Sequence, residues 1–223
     1  MIISDIGGDK RIILDNGYFG RRATCLGRAG WTRLRIALRF CLSDSGGNVT
    51  STYFGIGLCC GATFKGASGP QPAHGLYFEL YGNSATFTRS TTPTRYEQSF
   101  VATTCYKNGV ASTYGVADLE NSTMYMGAND SLRTVLLCDI TRSGTTYTVT
   151  QFRNTSTACT DVSQATFDSV ARMGEPVLTN HGYNTGTTIT VNEPTDGIFD
   201  HVNVAWNHDD PVIKISDLKV VRF

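Results

Sequence analysis

The sequence predicts an all-β protein in which two antiparallel sheets pack as a sandwich. About a dozen short segments alternate apolar and polar residues with a period of two, the pattern of strands that bury one face. Turn signals separate these segments roughly every 8 to 12 residues, and a single stretch carries helical spacing. Many short strands, frequent turns and almost no helix together favour a sandwich.

One domain spanning residues 1–223 is expected, because sandwiches of about 200 to 250 residues commonly form one unit. No Pro/Ser-rich linker or charge run divides the chain, and 40% of its residues are apolar, which suffices for a sizeable core. The formal net charge is +0, so the whole molecule has no field that would draw it to nucleic acid or anionic membranes. Neither is expected as a partner.

The N-terminal strands are predicted from short alternating runs. Ile12 to Leu14, followed by Asp-Asn-Gly, predicts a strand or hairpin near the N-terminus. The stretch from Trp31 to Leu42 predicts a long strand whose buried face carries leucine, isoleucine and phenylalanine. Its other face carries Arg33, Arg35 and Arg39, and we expect this face to be solvated.

The three arginines admit two interpretations. Guanidinium groups match the geometry of carboxylate and phosphate, so the row could bind a sulfated or acidic ligand. Charged side chains on exposed strand faces also commonly pair with Asp or Glu on the neighbouring strand. We expect the second arrangement.

Hairpin patterns fill the middle of the chain. A glycine-interrupted strand begins at Tyr53, and the segment from His74 to Ser90 predicts a hairpin that turns at Gly82-Asn83. Asn108-Gly109 predicts a second hairpin. The strongest pattern runs from Arg133 to Arg153, where two runs of nearly equal length meet at Ser143-Gly144.

The last third contains the helical stretch and two closing strands. Asp161 to Met173 predicts a helical turn or two, with Val162, Phe167 and Val170 on one side. From Gly197 to Phe223 two alternating runs flank a polar break, so we expect a pair of strands joined by the Asn-His-Asp-Asp-Pro turn.

Seven cysteines form an odd set without a Cys-x-x-Cys pair, which argues against a disulfide framework and a zinc ribbon. Several fall inside strand patterns and are expected to be small buried thiols. The first residues lack the basic start and apolar run of a signal peptide. We therefore expect synthesis in the cytoplasm without a signal peptide, followed by assembly into a virion or another particle.

The closing stretch and the hairpin from Arg133 to Arg153 resemble the concanavalin A-like and laminin G-like jelly rolls. The likeness lies in the alternating segment VNVAW that ends at Trp206, in the closing strand IKISDLKVVRF, and in the central run VLLCDITRSGTTYTV. It implies two antiparallel sheets packed face to face with the terminal strands paired. Members include lectins, carbohydrate-binding modules, polysaccharide-cleaving enzymes and parts of viral particles, and the fold does not choose among them.

The sequence gives no catalytic residues. Retaining glycosidases of this fold resemble one another in closely spaced carboxylates on one strand face, but Glu79 stands alone in its strand. Cysteine and serine nucleophiles have no local base, and no glycine-rich phosphate loop precedes a helix. We expect a protein that is not an enzyme.

Two kinds of binding site are candidates. Oxygen atoms of Asn207, Asp209 and Asp210 could bind calcium if another loop completed the ligand set, although a simple Asp-rich turn explains them equally well. Sugar rings stack on exposed aromatic rings, and the candidates for such contacts are Tyr77, Tyr81 and Tyr183.

Two functions of different class follow. The first is a non-enzymatic structural or receptor-binding module of a phage or tail-like particle, such as a fibre, spike or decoration protein. Its expected partners are copies of itself, as a homo-oligomer, and other particle proteins. The alternative is a carbohydrate-binding, lectin-like module that contacts surface glycans, with calcium as its candidate cofactor.

Overall fold

A computed structural model describes the backbone of most strands and of one helix. The described ranges are 3–6, 9–13, 20–25, 32–50, 53–59, 74–81, 86–98, 101–107, 110–114, 124–144, 146–172, 187–192, 201–207 and 213–222. Side chains are described in the ranges 32–49, 87–97, 124–144, 146–172 and 214–221.

The described elements are strands apart from one short helix. In chain order they are β1 (Ile3–Ile6), β2 (Asp9–Ile13), β3 (Gly20–Cys25), β4 (Arg33–Leu42), β5 (Val49–Thr50), β6 (Tyr53–Cys59), β7 (His74–Tyr81), β8 (Thr86–Thr91), β9 (Thr94–Gln98), β10 (Val101–Lys107), β11 (Val110–Tyr114), β12 (Met124–Gly127), β13 (Thr134–Ser143), β14 (Thr146–Arg153), α1 (Gln164–Val170), β15 (Thr187–Asn192), β16 (His201–Asn207) and β17 (Ile213–Arg222). Within these ranges, no helix has the length and apolar character needed to cross a membrane.

The strands form two large antiparallel sheets and a smaller one, so the predicted all-β, two-sheet sandwich class is confirmed. The seven-stranded sheet has the order β1-β2-β17-β4-β13-β14-β15, and the six-stranded sheet has the order β11-β10-β7-β6-β16-β3. A four-stranded sheet, β12-β9-β8-β5, accompanies them.

The two ends of the chain meet in the seven-stranded sheet, as the resemblance implied. Strand β17 pairs with β2 through Lys214 and Ile215, and on its other side it pairs along β4. The register shifts between Ile215 and Asp217. This bulge explains the irregular spacing of the closing run, because the extra residue, Ser216, lets Ile215 and Leu218 fall on the same face.

The two closing strands exist, but they do not pair with each other. Strand β16 lies in the six-stranded sheet between β6 and β3, whereas β17 lies in the seven-stranded sheet. The connection after Asn207 therefore links two sheets. Alternation of apolar residues predicts the faces of a strand, but it carries no information about which strand becomes its neighbour.

The hairpin predicted at Gly82-Asn83 is wrong for the same reason. Strand β7 pairs with β6 and β10, while β8 pairs with β5 and β9 in the four-stranded sheet. The true hairpin joins β8 to β9 around Thr92-Pro93. By contrast, the hairpins at Asn108-Gly109 and Ser143-Gly144 are confirmed, and Gly144 adopts a φ of 59° that suits glycine.

The predicted helical stretch is confirmed as α1, which covers one face of the seven-stranded sheet. Ser163 caps its N-terminus by accepting a hydrogen bond from the backbone N–H of Thr166 at 3.1 Å. Phe167 and Val170 point toward the sheet and are buried. They form one apolar cluster, whose further members are Ala37, Val135, Leu137, Phe152, Val162 and Ala171.

Candidate functional site

The arginine face of β4 is buried beneath α1, which contradicts the prediction of a solvated face. Arg35 is 3% exposed and forms a two-point ion pair with Asp139 on the neighbouring strand, with distances of 2.5 Å and 2.6 Å. Its Nη1 donates to the carbonyl oxygens of Val170 and Arg172 at 2.8 Å and 2.6 Å. The guanidinium therefore fastens the C-terminal end of α1 to the sheet.

Arg39 fastens the segment that leads into the same helix. It is 3% exposed, its Nε donates to the carbonyl oxygen of Val162 at 2.6 Å, and its Nη1 donates to Gln164 at 2.9 Å. Polar residues alternating with apolar ones normally indicate a face toward water. Here backbone carbonyls take the place of water, because they accept the hydrogen bonds of the buried guanidinium groups.

The prediction that these arginines pair with an acid on the neighbouring strand is thus correct for Arg35. The alternative, that the row of arginines binds a ligand, is wrong for Arg35 and Arg39, because both are buried in contacts within the protein. Arg33, the first residue of β4, is exposed as predicted. The polar residues Gln151 and Arg153 of β14 are also buried, and burial lowers the pKa of the Arg153 guanidinium. Sequence reasoning missed these two residues, since nothing in their spacing distinguishes them from exposed strand positions.

The three cysteines whose side chains are described are free and buried, as predicted for them. Burial raises the pKa of the Cys41 thiol to about 11 and raises the pKa of Cys138 and Cys159 as well. Cys41 also donates to Asp130 at 3.6 Å. A thiol must ionise to act as a nucleophile, so these three thiols are poor nucleophiles at neutral pH.

Three described aspartates form contacts with basic side chains. Asp44 accepts two hydrogen bonds from Arg89, at 2.5 Å and 2.6 Å, and this partner lowers the pKa of Asp44 to about 2. Asp168 accepts a hydrogen bond from Lys219, which lowers the pKa of that carboxyl. Lys214 pairs with Asp130 at 3.2 Å.

A group of three arginines, of which two are exposed and Arg142 is half-buried, lies near one end of the seven-stranded sheet, and the pKa of the Asp168 carboxyl is lowered by Lys219 and also by one of them, Arg172. We call it the basic corner and define it by Arg33, Arg142 and Arg172 together with the hydroxyl residues Thr32, Thr141 and Ser143. Within the described residues, none of these arginines forms a salt bridge. The aspartates at the opposite end of β4 and β13, by contrast, lie beside cations.

Backbone contacts place the members of the basic corner near one end of the sheet, with Arg33 and Arg142 on opposite faces of it. Arg33 is the Cα partner of Thr141, and the backbone N–H of the next residue, Arg142, donates to the carbonyl oxygen of Thr32 at 2.8 Å. The carbonyl oxygen of Arg172 accepts from Arg35, which lies two residues beyond Arg33 on the same face of β4. Three strand or helix ends therefore meet at one end of the sheet.

Arg142 is the partly buried member of the basic corner. Its guanidinium lies over the ring of Tyr147, 5.9 Å from the centroid, and its Nε atom is buried without a hydrogen-bond partner. Tyr147 is itself 1% exposed, so its ring is held by the surrounding core while the guanidinium packs over it.

The described structure does not test the residues predicted as binding sites. Tyr77 and Tyr81 lie in β7 and Asn207 ends β16, but only their backbone positions are described. Tyr183, Asp209 and Asp210 lie outside the described residues. In the part of the chain with described positions, no group of three or more His, Cys, Asp or Glu residues could hold a metal ion. Calcium binding stays a prediction.

Comparison with known proteins adds similarity of fold. No family model matches the chain, and no curated protein matches it. Three solved structures are similar. The exoplasmic/lumenal domain of VIP36 bound to Ca2+ and Man3GlcNAc has a TM-score of 0.44 and 11% identity, covering 96% of this chain and 78% of that one. Basic winged bean lectin with Tn-antigen has a TM-score of 0.42 and 10% identity, and the match covers 97% of this chain and 89% of the lectin chain. The CBM2 module of the evolved Dit of Lactobacillus casei BL23 phage J-1 has a TM-score of 0.40 and 11% identity, and the match covers 90% of this chain and 67% of the phage chain.

These structures are of the class that the sequence resemblance suggested. Lectins and a phage carbohydrate-binding module are among the similar structures. At these identities the likeness concerns the arrangement of strands, and residue roles are not transferred from it.

Proposed function

We propose that the chain is a non-enzymatic structural or receptor-binding module of a phage or tail-like particle, such as a fibre, spike or decoration protein. It is synthesised in the cytoplasm and assembles with copies of itself and with other particle proteins. The proposal continues the interpretation of the sequence, and its support comes from how the described part of the chain uses its ionisable groups.

The observation that supports the proposal is that buried arginines bind backbone carbonyls and so hold distant segments of the chain together. Arg35 and Arg39 connect β4 to residues more than a hundred positions later in the sequence. The buried thiols are kept protonated. Bidentate and carbonyl-bound guanidinium groups restrict the motion of the elements they join, which suits a rigid module that presents a surface.

Assembly is the property that tests this proposal. We expect the purified protein to form defined oligomers, measured by light scattering, and to co-sediment with particles that carry its neighbouring proteins. Electron micrographs should show a regular assembly. A monodisperse monomer at high concentration that is absent from every particle fraction would contradict the proposal.

A carbohydrate-binding, lectin-like module is the second candidate, and it is compatible with the first when the particle attaches to surface glycans. The exposed hydroxyl groups beside Arg33 and Arg142 favour it, since hydroxyl and guanidinium groups are suitable hydrogen-bonding partners for sugars. We expect signal on a broad glycan array, tested with calcium and with EDTA. The EDTA arm tests the calcium site expected at Asn207, Asp209 and Asp210. Absence of signal in both buffers would exclude this candidate.

A further inference from the structure

We propose that strand β15 is an interface between copies of this chain, in which two β15 strands pair edge to edge in antiparallel order about a twofold axis perpendicular to the sheet. This inference rests on the proposed assembly of the chain with copies of itself, and it names the strand through which two copies join. The product is one continuous sheet that runs through the seven-stranded sheets of both copies.

The first argument is the position of β15 at the edge of its sheet. All six residues of Thr187–Asn192 have Cα partners on β14, and among the described strands β14 is the one neighbour of β15. In an antiparallel ladder, alternate residues direct their backbone N–H and C=O groups to opposite sides of the strand. About half of the β15 backbone groups therefore point away from β14, and a further strand pairs through such groups.

The second argument is the composition of β15. Its sequence, TTITVN, contains no charged residue, proline or glycine, and five of its six residues are β-branched. Such residues favour the extended conformation that strand pairing requires. Edge strands that must stay single are usually protected by lysine, proline or a bulge. In β15 the sequence has neither lysine nor proline, and the register with β14 is unbroken from Thr187 to Asn192.

The other outer strands of the two large sheets are less suited to self-pairing. Strand β1 contains Asp5, and β3 contains Arg21 and Arg22, so two copies that met through either strand would bring like charges close together. Strand β11 is uncharged, but Ala111 and Ser112 are weaker strand formers than the β-branched residues of β15. These differences favour β15.

The third argument identifies the occupant as a second copy. A twofold axis places the same strand on both sides of the interface, so the strand must tolerate its own sequence as its neighbour. Thr188 and Thr190 lie on one face of the sheet, and Ile189 lies on the other face with its fully buried Cα partner Val149. Self-pairing therefore continues the uncharged face and the apolar face across the interface, and it places no charge opposite another.

The variant that tests the interface is Thr188→Lys/Thr190→Lys. It adds two charges to one face of β15, and paired copies would bring these charges opposite like charges. We expect the unaltered protein to self-associate in sedimentation velocity experiments over a range of concentrations. The double lysine variant should raise the dissociation constant of the dimer by about tenfold or more. Melting temperatures of both proteins check that the variant is folded.

A matched control and a charge exchange separate this interface from general repulsion. Ala111→Lys/Thr113→Lys adds two charges to one face of the outer strand β11, and it should leave the dissociation constant within about twofold of the unaltered protein. Thr188→Glu/Thr190→Glu should also weaken self-association. A mixture of this variant with the double lysine variant should form a heterodimer, observed by native mass spectrometry, because opposite charges then face each other.

Four results would overturn the inference. They are a monomeric unaltered protein, equal self-association of the unaltered protein and the double lysine variant, equal weakening by the β11 control, or no heterodimer in the mixture. If the unaltered protein is a monomer but the double lysine variant alone is lost from particles, β15 pairs with a different particle protein and the second copy is the wrong occupant. Oligomers and particle association that persist in the double lysine variant would refute the β15 interface while leaving the particle module in place.

Discussion

Replacing Ile215 with aspartate is expected to unfold the domain. Ile215 is 2% exposed and is the Cα partner of Phe40, which is fully buried. The change removes the burial of an isoleucine side chain and places a carboxylate in its position. Together these effects destabilise the native state by roughly 5 kcal/mol or more, which is comparable to the whole stability of a typical domain.

The predicted effect depends on the position of Ile215 between two partner strands. On one side β17 pairs with β4, and on the other it pairs with β2 near the N-terminus. A charge at this position therefore disturbs the place where both ends of the chain meet. Neighbouring cations are poorly placed to help, because the Lys214 side chain leaves the opposite face of the strand and pairs with Asp130.

Circular dichroism and urea titration measure this effect. Ile215→Val keeps the apolar contact and should cost about 1 kcal/mol, whereas Thr157→Asp adds the same charge at an exposed turn position and should leave the unfolding midpoint nearly unchanged. A soluble Ile215→Asp protein that melts cooperatively would show that Ile215 does not face the core.

The sequence was sufficient for local features whose signals lie within a few residues. Apolar spacing identified α1 near Phe167 and Val170, and a dipeptide turn identified the hairpin at Ser143-Gly144. Alternation also gave the buried face of β4 from Leu34 to Leu42. In each case the physical cause is short in range, so a single sequence carries it.

Features that depend on distant segments were predicted incorrectly. The pattern of β4 could not show that α1 covers Arg35 and Arg39, because the covering residues lie more than a hundred positions away. The same limit explains why β7 and β8 were expected to pair, although they belong to different sheets. The sequence grouped Arg33 with Arg35 and Arg39 on one strand face, and it could not show that Arg142 and Arg172 lie near the same end of the sheet, because strand pairing and helix placement put them there.

The buried ion pair between Arg35 and Asp139 gives the second large effect. Arg35 satisfies four acceptor contacts, two on Asp139 and one each on the carbonyls of Val170 and Arg172. Replacing Arg35 with methionine keeps much of the side-chain length but leaves the carboxylate and both carbonyls without these donors. Breaking a buried pair in this way typically costs about 3 to 5 kcal/mol, so we expect a large fall in the urea midpoint.

The partner variant separates the ion pair from the helix contacts. Asp139→Asn removes the negative charge but leaves the guanidinium bound to the two carbonyls at the end of α1. Its effect should therefore be smaller than that of Arg35→Met. In the double variant Arg35→Met/Asp139→Leu, neither charge remains buried without its partner, so we expect it to recover part of the stability lost in Arg35→Met.

The molecule also provides a matched control for burial. Arg89 and Asp44 form the same two-point geometry, at 2.5 Å and 2.6 Å, but their side chains are 20% and 36% exposed, compared with 3% and 17% for Arg35 and Asp139. Solvent and salt screen an exposed pair, and water replaces the lost partner. Arg89→Met should hardly move the midpoint. If Arg35→Met and Arg89→Met shift it equally, the pair at Arg35 is not what holds α1 to the sheet.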